Sequence, residues 1–86
     1  MKERKVKLRK TSRRWAVLNY AVSDPNEWTT KEIAEDMGDP YKYINEARLT
    51  LTKQGLIKLG EFKGRSRVIL PIPKGVEVLY QSLEIL

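Results

Sequence analysis

The chain has 86 residues, 41% of them hydrophobic and 33% charged, with a formal net charge of +6. That length supports one domain around a single modest core, and the composition is that of a globular chain rather than a disordered one. It contains no Cys and no His, which excludes a disulfide framework, a thiolate metal site and the commonest general base.

The charge is uneven. Residues 1–14 hold eight Lys/Arg against Glu3, whereas the remainder holds nine bases and ten acids. The excess is an N-terminal arm, residues 1–10, of the kind that attracts nucleic acid or another anionic surface, or that merely solubilises. Within it Val6 and Leu8 alternate with basic residues, which permits a short strand or an extended arm. The basic start is not followed by a signal-peptide core, and no apolar run approaches the roughly 20 residues of a membrane span. A cytoplasmic protein with no membrane partner is therefore expected.

Residues 11–86 read as one domain. Thr11 or Ser12 can cap a first helix reaching about Val22, with Trp15, Leu18, Ala21 and Val22 on its packed face. Ser23-Asp24-Pro25-Asn26 is a turn cluster, after which Glu27-Trp28-Thr29 suits a short strand with Trp28 over the sheet edge. Thr29 and Glu32 then form a T-x-x-E capping box at a second helix. Ile33, Ala34 and Met37 give that helix one apolar stripe, and Gly38 stands where its end needs a left-handed residue. Asp39-Pro40 restarts a third helix, with Asp39 as N-cap and Pro40 in the first helical position. Its buried line is Ile44, Ala47 and Leu51, and Gly55 ends it.

Leu56–Phe62 reads as a strand weakened or bulged at Gly60. Lys63-Gly64-Arg65-Ser66 is a turn, and Arg67–Ile72 is the returning strand, so the hairpin tip carries Lys63, Arg65 and Arg67. Pro71 and Pro73 stop the sheet, and residues 74–86 form a last helix. Val76, Leu79, Tyr80 and Leu83 follow at i, i+3, i+4 and i+7, with Leu86 extending the stripe. Val78 and Ile85 fall on another side, so this helix is apolar over more than half its surface. Cover from a two-fold partner is the favoured solution, with packing against Trp15 and the first helix as the alternative.

The spacing of Ala34, Gly38, Ile44 and Ala47 resembles the helix-turn-helix of DNA-binding proteins. The exit Lys53-Gln54-Gly55-Leu56-Ile57 looks like that of winged-helix regulators of the MarR and PadR type, here in a small archaeal, plasmid or viral form. The resemblance covers about residues 12–84 in layout, although the motif itself lies in the middle third. It implies an α+β winged helix-turn-helix fold: a three-helix core, a wing hairpin of two or three strands and an extra C-terminal helix, 74–86, whose apolar surface makes it the expected dimerisation helix.

By the same resemblance the protein would be a sequence-specific binder of double-stranded DNA and a transcriptional regulator, acting as a dimer. The third helix would lie in the major groove and the wing on the backbone or in the minor groove. Base readers would be Tyr41, Lys42, Tyr43, Asn45, Glu46 and Leu49, with Asn45 suited to adenine, Glu46 to cytosine and Leu49 to a thymine methyl or a protein contact. Backbone contacts would come from Thr30, Lys31, Lys53, Lys63, Arg65, Ser66 and Arg67, with Arg13 and Arg14. Arg48 departs from the family's aliphatic choice near the buried side and would reach a phosphate or pair with an acid. The dimer interface would use Val76, Leu79, Tyr80, Leu83 and Leu86.

Two other functions fit the same residues. A plasmid or chromosome partition protein, or an architectural protein coating DNA, would share the pattern and the basic arm. A winged helix used for protein–protein assembly would instead make Leu49 and the tyrosines contact residues. An enzyme is not expected: there is no P-loop, and Glu32, Glu35 and Asp36 serve as helix cap and solvated face. No cofactor, metal or small-molecule ligand is expected.

Overall fold

A computed structural model describes residues 12–84. The basic arm, Ile85 and Leu86 lie outside the described residues. In order the elements are α1 (Arg13–Ser23), α2 (Thr30–Met37), α3 (Tyr41–Lys53), β1 (Ile57–Lys63), β2 (Ser66–Pro71) and α4 (Pro73–Glu84).

Local chemistry sets most of the boundaries. The Ser12 side chain caps α1 by accepting from the Trp15 N–H at 3.1 Å. Both arms of the capping box at α2 are made: the Glu32 N–H donates to Thr29 Oγ1 at 3.2 Å and the Thr29 N–H to Glu32 Oε1 at 3.0 Å. Such a box is worth about 1 kcal/mol for its cap alone. Gly38 ends α2 at φ 71°, a left-handed conformation that costs a side-chain-bearing residue about 1 kcal/mol.

The start of α3 differs from the expected one. Pro40, not Asp39, occupies the N-cap, no side chain caps the helix, and α3 begins one residue later at Tyr41. The reason is non-local. Arg13 takes the Asp39 carboxylate at 3.0 Å, while the Pro40 carbonyl accepts the first helical bonds from Tyr43 and Ile44.

β1 and β2 form a two-stranded antiparallel hairpin, with Ile57 opposite Pro71 and Lys63 opposite Ser66. The register shifts between Leu59 and Phe62, so Gly60 does mark a bulge. A Cβ at Gly60 would lie 2.9 Å from side-chain carbons of Val68 and Leu70. The expected strand at 27–29 contracts to one bridge, Thr29 with Val68, joined by the Ile69 N–H donating to the Trp28 carbonyl. Thr29 must also cap α2, so the extended run ends there. The Trp28 indole stands edge-on to Tyr20, ring centroids 4.7 Å apart, rather than only covering the sheet. Tyr20 in turn donates its hydroxyl to Asp36, tying α1 to α2. That bond, then burial and the carboxylate's charge, pushes the phenol up to about 12.

All the helices and the hairpin meet in one core. Val17, Leu18 and Ala21 of α1 join Ile33, Ala34, Ile44, Ala47, Leu51, Leu56, Ile57, Ile69, Val78 and Leu79. Each fully buried Leu or Ile contributes about 1.5–3 kcal/mol. Trp15 and Val22 flank this core half-buried, and Val17 takes the inner place instead.

α4 is turned from its expected orientation. Gly75, Val78, Leu79 and Ser82 form its buried line, whereas Tyr80 and Leu83 are 57% and 41% exposed. Ser82 explains the turn. It accepts from the Trp15 indole at 2.7 Å and donates to the Leu79 carbonyl at 2.6 Å, so a polar residue sits satisfied on the inner face. α4 therefore packs back on α1, and Leu79 belongs to the chain's own core rather than to a surface open to a partner.

Candidate nucleic-acid interface

With Ile44, Ala47 and Leu51 turned inward, the 3.6-residue period puts Lys42, Glu46, Leu49 and Lys53 along the opposite side of α3. Tyr41, Lys42, Tyr43, Glu46 and Leu49 are all exposed, Leu49 by 42%. Asn45 is half-buried, and its Oδ1 accepts from the Arg48 guanidinium at 3.0 Å. Arg48 thus pairs with a neighbouring amide rather than an acid, and its Nε is buried without a hydrogen-bond partner among the described residues.

The wing is brought against the start of the helical motif. Lys31 of α2, Tyr41 of α3 and Ser66 of β2 line one surface depression with Ala34, Glu35 and Asp39. The wing strand β2 thereby joins the two consecutive helices α2 and α3 on a single outer face. Lys31, Lys53 and Arg65 are exposed, as is Arg14, while Ser66 is half-buried. Thr30, expected among the backbone contacts, is buried.

Two wing cations are held internally, which the sequence alone did not disclose. Lys63 Nζ donates to the Glu27 carbonyl at 2.9 Å and to Glu32 Oε2 at 3.1 Å, pinning the wing to the start of α2. Arg67 donates to the Gly60 carbonyl at 2.7 Å and to that of Leu59 at 3.3 Å, both displayed by the bulge. Its guanidinium also lies 5.6 Å from the Phe62 ring centroid. Phe62 itself is 72% exposed and was not singled out from the sequence, because the bulge breaks the alternation that would have placed it. Arg13 is held too, between Asp39 and the face of Tyr43, 4.7 Å from the ring centroid.

Of the expected dimer residues, Val76 is half-buried, Tyr80 and Leu83 are exposed, Leu79 is in the core, and Leu86 lies outside the described residues.

Glu32 lies where the wing meets the start of α2. The Lys63 ammonium, followed by the Thr29 backbone N–H, holds its carboxyl below the usual glutamate range. A carboxylate favoured in the fold adds stability that is complete above its unfolded pKa and is lost as pH falls through its folded one. Thermal melts from pH 7 to pH 3 should therefore lose less on the acid side for Glu32→Gln than for the wild type. Parallel curves for the two proteins would refute this role.

No family model matches the chain, and no curated protein matches its sequence. Solved structures do match. A MarR-family transcriptional regulator from a Rhodococcus species superposes with a TM-score of 0.76 at 19% identity, over 84% of this chain and 51% of that one. MepR, a regulator of the Staphylococcus aureus multidrug efflux pump MepA, gives 0.76 at 17% identity, over 87% and 56%. Staphylococcus aureus MarR, in a complex with salicylate and kanamycin, gives 0.72 at 18% identity, over 83% and 48%. The chain spans about half the length of these regulators. Its fold is the winged helix-turn-helix that MarR-family transcriptional regulators share.

Proposed function

We propose that the protein binds double-stranded DNA site-specifically as a two-fold dimer and acts as a transcriptional regulator. The observation that carries this is the convergence of Lys31, Tyr41 and Ser66 beside the exposed side of α3. Lys42, Glu46 and Leu49 would read base edges in the major groove, while Lys31, Lys53 and Arg65 would hold phosphates on either side. Lys63 and Arg67 would serve first to stiffen the wing, given their internal bonds. Tyr80 and Leu83, exposed on α4 beside half-buried Val76, support pairing with a second copy. Half-sites would then lie about one helical turn apart.

Fluorescence anisotropy against a library of duplexes, at a series of salt concentrations, tests this. One pseudo-palindromic duplex should bind tightly, with log K falling against log salt at a slope of about −5 if about six phosphates are neutralised. Arg65→Ala should weaken every duplex alike and reduce that slope by about 0.9. Lys42→Ala should instead change the order of preference among duplexes. Uniform binding lost with salt would favour a partition or coating protein. No binding to any duplex would favour the assembly reading, for which exposed Leu49 and Tyr41 are the supporting features.

A further inference from the structure

Arg13 sits where α1 begins, yet its side chain reaches the entrance of α3. Its Nε donates to Asp39 Oδ2 at 3.0 Å, immediately before the helix, and its guanidinium lies 4.7 Å from the centroid of Tyr43, in the first turn. These two contacts bracket Pro40, the N-cap that has no side-chain bond of its own. The first turn of α3 thus lacks a local cap and is held by a residue 26 positions away. A guanidinium suits this task because it is planar and can bond in its plane while stacking on an aromatic face, which an ammonium cannot reproduce. The same side chains, with Arg14 and Glu46, line one groove between α1 and α3.

We propose that Arg13 is a positioning residue for base reading: bonded to Asp39 and stacked on Tyr43, it fixes how the first turn of α3 presents Lys42, Tyr43 and Glu46 to DNA, rather than neutralising a phosphate. This rests on the DNA-binding reading above and gives Arg13 a different role from the backbone contact expected from the sequence. Base contacts need placement to within a fraction of an ångström, whereas a phosphate contact needs only charge nearby. The two roles therefore differ in what a salt titration reads.

The test uses the full chain and three variants, Arg13→Gln, Arg13→Lys and Asp39→Asn, against the best duplex and its single-base variants over a range of salt. For a positioning role, all three should leave the slope of log K on log salt at its wild-type value. All three should also lower the preference for the best duplex by about tenfold, the scale of one lost base contact. Arg13→Lys should fail to rescue although it keeps the charge. The proposal is overturned if Arg13→Gln reduces the slope by about 0.9 with preference intact and Arg13→Lys restores it. It is equally overturned if Asp39→Asn tightens binding to every duplex, as release of a phosphate-seeking guanidinium would. Melting curves guard against a fold effect, and Asp39→Asn keeps Arg13 in place should the Arg13 variants unfold. Failure of the wild type to bind any duplex would remove the DNA reading and this role together, whereas the other adverse outcomes remove this role alone.

Discussion

Replacing Gly75 by alanine is expected to destabilise the fold by about 3 kcal/mol and to lower the melting temperature by more than about 10 °C. Alanine in place of glycine inside a helix ordinarily gains about 0.5–1 kcal/mol. Here that gain is overwhelmed. A Cβ at Gly75 would lie 2.1 Å from the Leu56 carbonyl oxygen and 3.2 Å from Leu18 Cδ1. The Leu56 carbonyl cannot retreat freely, because it also accepts from the Ile72 N–H at 3.0 Å. Either α4 lifts away from Leu56 or that bond breaks. Gly38→Ala is the informative control, since Gly38 has a left-handed φ of 71° and nothing within 4 Å of a new Cβ. It should cost only about 1 kcal/mol. Denaturant unfolding of both variants decides the matter, and a Gly75→Ala protein as stable as the wild type would show that the close approach is not real.

The second large effect separates the two sides of α3. Ile44 is completely buried, so Ile44→Ala should cost about 2–5 kcal/mol through lost burial and a residual cavity. Leu49→Ala on the same helix removes a side chain that is 42% exposed and should change stability by less than about 0.5 kcal/mol. If DNA is read by this helix, Leu49→Ala should nevertheless alter duplex preference, most where a thymine methyl is replaced. A larger stability loss for Leu49→Ala than for Ile44→Ala would mean that α3 is seated the other way round.

The contrast between these residues shows which parts of the fold were legible in the sequence. Thr29 with Glu32, Gly38, and the line of Ile44, Ala47 and Leu51 depend on neighbours within a few positions, and all stand where their spacing put them. What escaped depends on partners far along the chain. Asp39 has the residue type of an N-cap, but Arg13 claims its carboxylate. Val78 and Ser82 face inward because the Trp15 indole needs an acceptor, a demand that apolar periodicity cannot register. The wing shows the same limit. Its cations were countable, but the internal bonds of Lys63 and Arg67 arise from the bulge and from the approach of α2. Composition thus announced a cationic tip without saying that Arg65 is the residue left extended into solvent.

The bond between the Trp15 indole and Ser82 has a consequence for how quickly the molecule comes apart. It joins residues 67 positions apart, so closing that loop must follow most of the local structure. Contacts absent from the folding transition state govern the unfolding rate and leave the refolding rate almost untouched. Ser82→Ala should therefore leave the refolding limb of a chevron in place and raise the unfolding limb, and Trp15, losing its acceptor, can report the event by its own fluorescence. In that sense the pairing of α1 with α4 acts as a latch on the lifetime of the folded state more than as a guide to its formation.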